Sequence, residues 1–318
     1  MGHGIPRRTA SDLWHKFQEM GTTHTRPRSG CPRKVTSRTK CQIVKTSKHE
    51  RRLPLPDFGN QVDPQVSAST VRKVLDERGI HRRKARKAVY LTRAHKKQRL
   101  AWARRFRRWM AGDWRKVIWS DECYVYIGDS QGTIWISRSA NEVWQEDCLV
   151  PTFKQSSLRV MVWGCIMDGH KGPLVVLEYP GGKGGGMNSE RYCEQVLKGC
   201  FYDYWMTMTS IRGQISFQQD GAASHTSKST KQWLQQNSIP IFPHPAASPD
   251  LNPIEPVWKI LKTKIRTRPH PPTSMDELKQ AVKQAWDAIS DEDIHTHTKH
   301  MEDRVKAVIN ARGGHTKY

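Results

Sequence analysis

Three acidic residues beside regular apolar patterns constrain the fold of this chain more than any other feature. An apolar run over residues 214–219 stops at Asp220 and a glycine, as a buried strand does at the edge of a sheet. A second apolar run, Val117–Ser120, stops in the same way at Asp121. The third acid, Glu255, follows Asp220 after 34 intervening residues. Two strand ends and a facing helix could bring these carboxylates together in an α/β domain.

The helix that carries Glu255 is predicted from its periodicity. Ile254, Trp258 and Leu261 recur at positions i, i+4 and i+7, so they form one packed face. The two prolines that flank this start lie where a helix tolerates proline, in or near its first turn. Glu255 is therefore expected on the first helical turn, beside the packed face.

Each acid also has an ordinary structural explanation. An Asp after a strand often forms a turn, and a Glu in a first helical turn often complements the helix dipole. Three such acids in one chain favour a shared chemical role. Glu122 is the alternative to Asp121, but its side chain should leave the opposite face of the strand. Asp250 is expected to cap the turn into the helix, whereas for His225 a substrate contact and a structural hydrogen bond both stay open.

These residues resemble the Tc-like branch of the mariner superfamily of cut-and-paste DNA transposases. The Asp/Asp/34/Glu spacing is that of this branch, and the resemblance runs from about Arg33 to the C-terminal helices. One departure is Gly221, where the family usually has Asn. The matching motifs are Trp119-Ser120-Asp121-Glu122, Val162-Trp163-Gly164, Gln219-Asp220 with His225, and Ser248-Pro249-Asp250-Leu251-Asn252-Pro253-Ile254-Glu255 with Trp258 and Leu261-Lys262.

The resemblance implies an RNase H-like α/β catalytic domain, a mixed five-stranded sheet with flanking helices, preceded by an all-α helix-turn-helix DNA-binding region. It further implies that Asp121, Asp220 and Glu255 are the catalytic residues and hold two Mg²⁺ or Mn²⁺ ions. Two divalent ions about 3.5–4 Å apart can activate a nucleophile and stabilise the leaving oxygen at one phosphate.

The activity that the resemblance implies is cut-and-paste DNA transposition. Such an enzyme binds the terminal inverted repeats, cleaves the transposon ends and joins the 3′ ends to target DNA at a TA dinucleotide, as a homodimer on double-stranded DNA in the nucleus. The alternative is a transposase-derived DNA-binding protein that has lost cleavage. A general RNase H-like nuclease is disfavoured by the specific motif around Glu255.

The distribution of charge separately predicts a nucleic-acid partner. Residues 1–110 hold 29 Lys and Arg against 7 Asp and Glu, a net charge of +22, whereas residues 111–318 hold 24 against 23, a net charge of +1. A solvated surface normally mixes charges of both signs. A segment with such an excess of positive charge favours a polyanion, because neutralising phosphates releases counterions.

The expected DNA-binding residues fall in three segments. The first is an extended basic linker before the second helix-turn-helix. The second is the last helix of that subdomain (67–79), whose polar face is expected to point outwards. The third is the basic run after it, which also resembles a nuclear-import signal. The candidate DNA contacts are Arg28, Arg33, Lys34, Ser69, Thr70, Arg72, Lys73, Arg82, Arg83 and Lys84.

Four regions are expected along the chain. Residues 1–30 are interpreted as the remnant of a first helix-turn-helix subdomain, with a helix capped by Ser11, plus a basic linker. Residues 31–90 form the second helix-turn-helix subdomain, with a proline-rich connection at Leu53–Pro56 and a final helix capped by Ser67 or Ser69. Residues 91–112 form a linker helix, and residues 113–318 form the catalytic domain with its C-terminal helices.

Within the catalytic region, strands are expected at Val117–Ser120, Thr133–Ser137, Arg159–Ile166, Leu174–Leu177, 214–219 and Ile239–Phe242. The glycine-rich segment 180–186 lacks the features of a phosphate-binding loop and is expected to be a surface loop. His295, His297 and His300 are expected on a solvated helix start rather than in a metal site.

Cysteine usage and hydropathy predict the cellular compartment. The seven cysteines form no CxxC pair, which argues against a zinc module and favours a reducing compartment. No apolar run reaches the roughly 18 residues of a membrane helix. A protein of the nucleus or cytosol, without a membrane partner, is expected.

Overall fold

A computed structural model describes residues 4–24, 35–51, 53–83, 88–127, 158–180 and 186–318. It divides into two compact units, Met1–Arg86 and Lys87–Tyr318. The expected strand Thr133–Ser137, most of the glycine-rich segment, and Arg28, Arg33, Lys34 and Lys84 lie outside the described residues. None of the described helices is both long enough and apolar enough to span a membrane.

The first helix, α1 (Arg7–Met20), begins four residues before the expected cap. The prediction that Ser11 caps it is wrong, because the helix starts directly after Pro6, whose restricted φ suits the entry to a helix. Gly21 ends the helix at φ +66°, a left-handed conformation that glycine adopts without strain.

Three further helices build the core of the first unit: α2 (Ser37–His49), α3 (Leu55–Asn60) and α4 (Ala68–Asp76). The segment predicted as a proline-rich connection, Leu53–Pro56, leads directly into α3, whose first two residues are Leu55 and Pro56. Pro54 is the N-cap residue and Pro56 lies in the first turn, where a proline costs no backbone hydrogen bond, so Leu55 and Phe58 can be buried. Gly59 has no room for a side chain, because a Cβ there would lie 2.1 Å from the carbonyl oxygen of Val66.

The last helix of this unit follows its sequence pattern. Ser67 is the cap of α4, since its side chain accepts from the backbone N–H of Thr70. Val71, Val74 and Leu75 are buried as their spacing predicts. The outward face of α4 is therefore left for polar residues.

A five-stranded mixed sheet forms the centre of the second unit. Its strands are β1 (Val117–Tyr126), β2 (Arg159–Met167), β3 (His170–Leu177), β4 (Ser216–Gln218) and β5 (Ile241–Phe242), in the order β3-β2-β1-β4-β5. β1 pairs antiparallel with β2 and parallel with β4, β2 pairs antiparallel with β3, and β4 pairs parallel with β5. The predicted mixed five-stranded sheet is confirmed.

The first strand continues past its acids. Asp121 and Glu122 were expected at the end of β1, but they lie in its middle, with Asp121 opposite Gly164 and Glu122 opposite Trp163. The alternation of buried and exposed side chains runs on to Tyr126, because aromatic and β-branched residues continue the strand.

Helices cover both faces of the sheet. One layer holds α5 (Arg93–Arg105), α6 (Ala111–Trp114), α11 (Ile254–Arg266), α12 (Met275–Asp287), α13 (Asp291–Thr298) and α14 (Met301–Asn310), and its core includes Trp119 and Trp258. The other layer holds α7 (Ser189–Tyr192), which continues through a π-helical segment (Cys193–Phe201) into α8 (Tyr202–Arg212), with the short α9 (Ala223–Thr226) and α10 (Lys228–Gln236). Its core includes Ile118 and Phe217.

The segment predicted as a linker helix contributes to the core of the second unit. Trp102 of α5 and the following Phe106 are buried against Trp114 and Phe242, with ring centroids 5.0–6.2 Å apart. Its aromatic face is therefore packed within the protein.

Candidate active site

Asp121 and Glu255 meet where β1 faces the first turn of α11. The two carboxyl groups lie close enough to shift each other's pKa, and Trp258 Nε1 donates to Asp121 Oδ2 at 3.3 Å. Burial and the nearby charges of Glu255 and Glu122 raise the pKa of Asp121 well above its usual value. Burial also raises the pKa of Glu255, although Lys259 and Lys262 oppose the shift. The two buried carboxylates thus repel each other when both are charged.

Asp220, two residues after β4, lies beside this pair and faces a histidine. Its Oδ1 is 2.6 Å from His225 Nδ1 and accepts from the backbone N–H of Ala222 at 2.9 Å. The other ring nitrogen, Nε2, is 3.1 Å from Glu122 Oε1. Glu122 thus leaves the strand face opposite to Asp121, as the alternation of a strand requires.

The histidine is the counter-charge of two of the acids. Burial opposes protonation of His225, but the hydrogen bonds with Asp220 and Glu122 outweigh it and raise its pKa to about 10. The hydrogen bond between His225 and Asp220 also lowers the pKa of Asp220. At neutral pH a buried imidazolium, 3% exposed, therefore bridges the carboxylates of Asp220 and Glu122.

A buried polar network fixes the backbone beside these acids. Gln218 accepts from the backbone N–H of Ser120 at 3.1 Å, and Asn252 donates to the carbonyl of Ser120 at 3.0 Å. Tyr192 donates to Gln219 at 3.0 Å, and the Gln219 amide donates to the carbonyl of His225. Sequence reasoning assigned no role to Gln218, Asn252 or Tyr192. Gln218 directly precedes the Gln219-Asp220 motif and Asn252 lies within the motif around Glu255, whereas Tyr192 lies in neither motif.

Asp250 anchors the turn that precedes α11. Arg99, on α5 and 1% exposed in its side chain, donates to both carboxylate oxygens of Asp250 at 2.6 Å. Thr316 donates to the same carboxylate at 2.7 Å, and Arg304 donates to the backbone carbonyl of Asp250. The prediction that Asp250 caps the turn into the helix is wrong, because its side chain is engaged by Arg99 and α11 has no side-chain cap.

The donor atoms suit a hard divalent cation. Ligand atoms of Glu122, Asp220 and His225 lie within 4.8 Å of one another, and Asp121 with Glu255 forms a second acidic pair beside them. Mg²⁺ and Mn²⁺ prefer carboxylate oxygens. His225, as a cation, already balances Glu122 and Asp220, whereas burial and mutual repulsion hold the pKa of Asp121 high. A divalent cation at the Asp121 and Glu255 pair would relieve that repulsion.

The candidate DNA-binding residues that the structure describes lie on and after α4. Ser69, Arg72 and Lys73 are exposed and Thr70 is half-buried, away from the packed face. Arg82 donates to the backbone carbonyl of Leu53 at 2.9 Å, so its guanidinium also ties the end of the unit to the start of α3. Arg83 is exposed.

The three histidines near the C-terminus occupy different places. His295 and His297 lie in the last turn of α13, and only His300 stands at a helix start, before α14. The predicted solvated helix start is therefore wrong for the first two. His295 Nδ1 lies 2.9 Å from Asp168 Oδ1, a carboxylate that also accepts from Thr298 and Arg115.

Comparison with known proteins gives consistent results over most of the chain. A transposase helix-turn-helix model matches residues 40–108, and a model of the DDE superfamily endonuclease matches residues 191–279. The Tc1 transposase of Caenorhabditis elegans is 32% identical over 259 residues, which cover 80% of this chain and 90% of that protein. The Tc3 transposase of the same organism is 30% identical, covering 82% of this chain and 75% of that protein.

Solved structures share the fold. The Mos1 transposase in its paired-end complex with the left transposon end matches all of this chain and 91% of its own, with a TM-score of 0.76 and 16% identity. Another Mos1 paired-end complex, with Mg, gives a TM-score of 0.74. The expected RNase H-like fold and the resemblance to transposases are confirmed. The chain belongs to the Tc1/mariner family of DNA transposases, metal-dependent enzymes with a DDE-superfamily endonuclease domain and a helix-turn-helix region.

Proposed function

We propose that this cut-and-paste transposase binds the terminal inverted repeats of its own element, cleaves both ends and joins the 3′ ends to target DNA at TA. The observation that carries the proposal is the buried carboxyl pair of Asp121 and Glu255 beside Asp220. Three acids on adjacent elements supply the ligands that metal-assisted phosphodiester hydrolysis requires.

Asp121, Asp220 and Glu255 are the proposed catalytic residues and hold two Mg²⁺ or Mn²⁺ ions. When bound, the ions lower the pKa of a water nucleophile and neutralise charge on the leaving oxygen. Trp258 holds Asp121 in place from α11, and His225 holds Asp220 from the opposite side. Glu122 is a positioning residue, because its carboxylate orients the imidazolium of His225.

DNA recognition is assigned to the basic first third of the chain. The exposed face of α4, with Ser69, Thr70, Arg72 and Lys73, is proposed to enter a major groove of the repeat. Arg82, Arg83 and Lys84 are proposed to contact phosphates, and the extended linker with Arg28, Arg33 and Lys34 is proposed to enter a narrow minor groove. Of these residues, Arg28, Arg33, Lys34 and Lys84 lie outside the described residues. The acting species is proposed to be a homodimer in the nucleus, since two transposon ends must be brought together.

The experiment that tests this function uses the inverted repeats found in the DNA that flanks the gene. We expect the full chain to cleave a repeat-end duplex with Mg²⁺ or Mn²⁺, and not with EDTA or with Ca²⁺ alone. Cleavage that persists in chelator would overturn the carboxylate–metal mechanism. Tight repeat binding with no cleavage in either metal would instead identify a DNA-binding protein that has lost its nuclease activity.

A further inference from the structure

A cluster of three tyrosines and one arginine continues along β1 from Glu122, on the strand face opposite to Asp121. Tyr124 and Tyr126 share a strand face with Glu122, because side chains two residues apart point the same way. The guanidinium of Arg159, which pairs with Tyr126 across β1 and β2, lies 4.4 Å from the ring centroid of Tyr124 and 5.8 Å from that of Tyr126. Tyr179, two residues after β3, lies close enough to Tyr124 for the two hydroxyl groups to interact. We call these four residues the tyrosine–arginine patch.

The patch fixes the orientation of an exposed guanidinium. Arg159 is exposed and donates to Tyr126 Oη at 3.3 Å. Among the described residues no carboxylate forms an ion pair with Arg159, and Glu178, which precedes Tyr179, is paired with Lys279 at 3.1 Å. An arginine held on aromatic rings without a neutralising acid keeps both its charge and most of its N–H donors for a ligand.

The position of the patch restricts what that ligand can be. Tyr126 lies four residues beyond Glu122, a distance of about 13 Å along β1. Single DNA strands advance by about 3.4 Å per nucleotide along the helix axis. A strand that passes through the active site can therefore bring a phosphate to Arg159 within about four nucleotides of the bond that is cut.

We propose that Arg159, oriented by Tyr124 and Tyr126, binds one phosphate of the DNA strand next to the scissile phosphate. The planar guanidinium matches the phosphate oxygens and can bind them with two parallel N–H donors. This subsite rests on the proposed function, since it requires DNA in the active site. It positions the scissile phosphate at the acids and takes no part in the chemistry.

The test combines a protein change with a change in the DNA. Repeat-end duplexes each carry one neutral methylphosphonate at one of the four positions on either side of the cleavage site. On DNA without a methylphosphonate, we expect Arg159→Gln to cleave about 10- to 100-fold more slowly than the wild-type enzyme. This is the effect of losing one charge-assisted hydrogen bond. At one position, neutralising the phosphate should slow the wild-type enzyme by a similar factor and should leave Arg159→Gln unaffected.

Two controls separate this result from general damage. Arg268→Gln also removes one positive charge, together with the hydrogen bond that Arg268 donates to the Gln284 side chain at 2.8 Å. Cleavage by this variant should stay sensitive to the same methylphosphonate. Tyr126→Phe keeps the ring but loses the acceptor of Arg159, so we expect a smaller loss at the same position.

The outcomes are distinct. If the wild-type enzyme cleaves and Arg159→Gln keeps its full rate, or loses rate without losing sensitivity at any phosphate, the subsite is wrong while the proposed function stands. A wild-type enzyme that does not cleave under any divalent metal would overturn the proposed function itself.

Discussion

Loss of the Asp250 carboxylate should destabilise the second unit more than loss of any surface acid. Asp250→Ala leaves the guanidinium of Arg99, 1% exposed, buried without its charge partner. Removing one member of a buried ion pair costs about 3–5 kcal/mol in the free energy of unfolding. For a domain of this size, about 2–4 °C accompanies each kcal/mol, so the unfolding temperature should fall by roughly 6–20 °C.

The assay is calorimetric unfolding of the full chain, with a matched surface variant. Glu178→Ala breaks the ion pair with Lys279, whose side chains are 73% and 36% exposed, and should change stability by less than about 1 kcal/mol. Arg99→Met combined with Asp250→Ala should cost less than the sum of the single changes, because neither charge is then left alone. Equal, small effects of Asp250→Ala and Glu178→Ala would refute the anchoring role.

Three further predictions follow from local features. Burial raises the pKa of Asp250, but the hydrogen bonds with Arg99 outweigh it and lower the pKa. The stabilisation is complete above the unfolded value near pH 4 and is lost as the pH falls through the lower folded value, so Asp250→Asn should flatten acid unfolding monitored by circular dichroism below about pH 4. Gly59→Ala should unfold the helix-turn-helix unit and abolish repeat binding in a mobility-shift assay, because the Cβ would meet the carbonyl of Val66, while the calorimetric transition of the second unit persists. Arg72→Ala should reduce the slope of log Kobs against log salt by about 1 if its side chain contacts a phosphate, and an unchanged slope would exclude that phosphate contact.

The sequence predicted the elements whose signal is local. The burial of Val71, Val74 and Leu75 on α4 follows from periodicity, and so does the position of Glu255 on the first turn of α11. The short α3 was missed because its prolines look like a loop signal, although a first helical turn accepts them. The length of β1 was misjudged because two adjacent acids suggest a strand end.

The tertiary partners could not be predicted in the same way. Arg99 and Asp250 are 151 residues apart in sequence, and nothing in either segment indicates their contact. His225 was recognised only as a residue with two open roles, and its bridge between Asp220 and Glu122 depends on the pairing of β1 with β4. Such contacts come from the topology of the sheet rather than from residue spacing.

The most direct test of the account compares single substitutions of the four acids in one cleavage assay. Asp121→Ala, Asp220→Ala and Glu255→Ala should each abolish cleavage of the repeat-end duplex with Mg²⁺, while repeat binding stays near that of the wild type. Glu122→Ala should keep measurable cleavage, because its carboxylate contacts His225 and lies on the opposite strand face from Asp121. An inactive Glu122→Ala together with an active Asp121→Ala would contradict the assignment of the metal to the Asp121 and Glu255 pair.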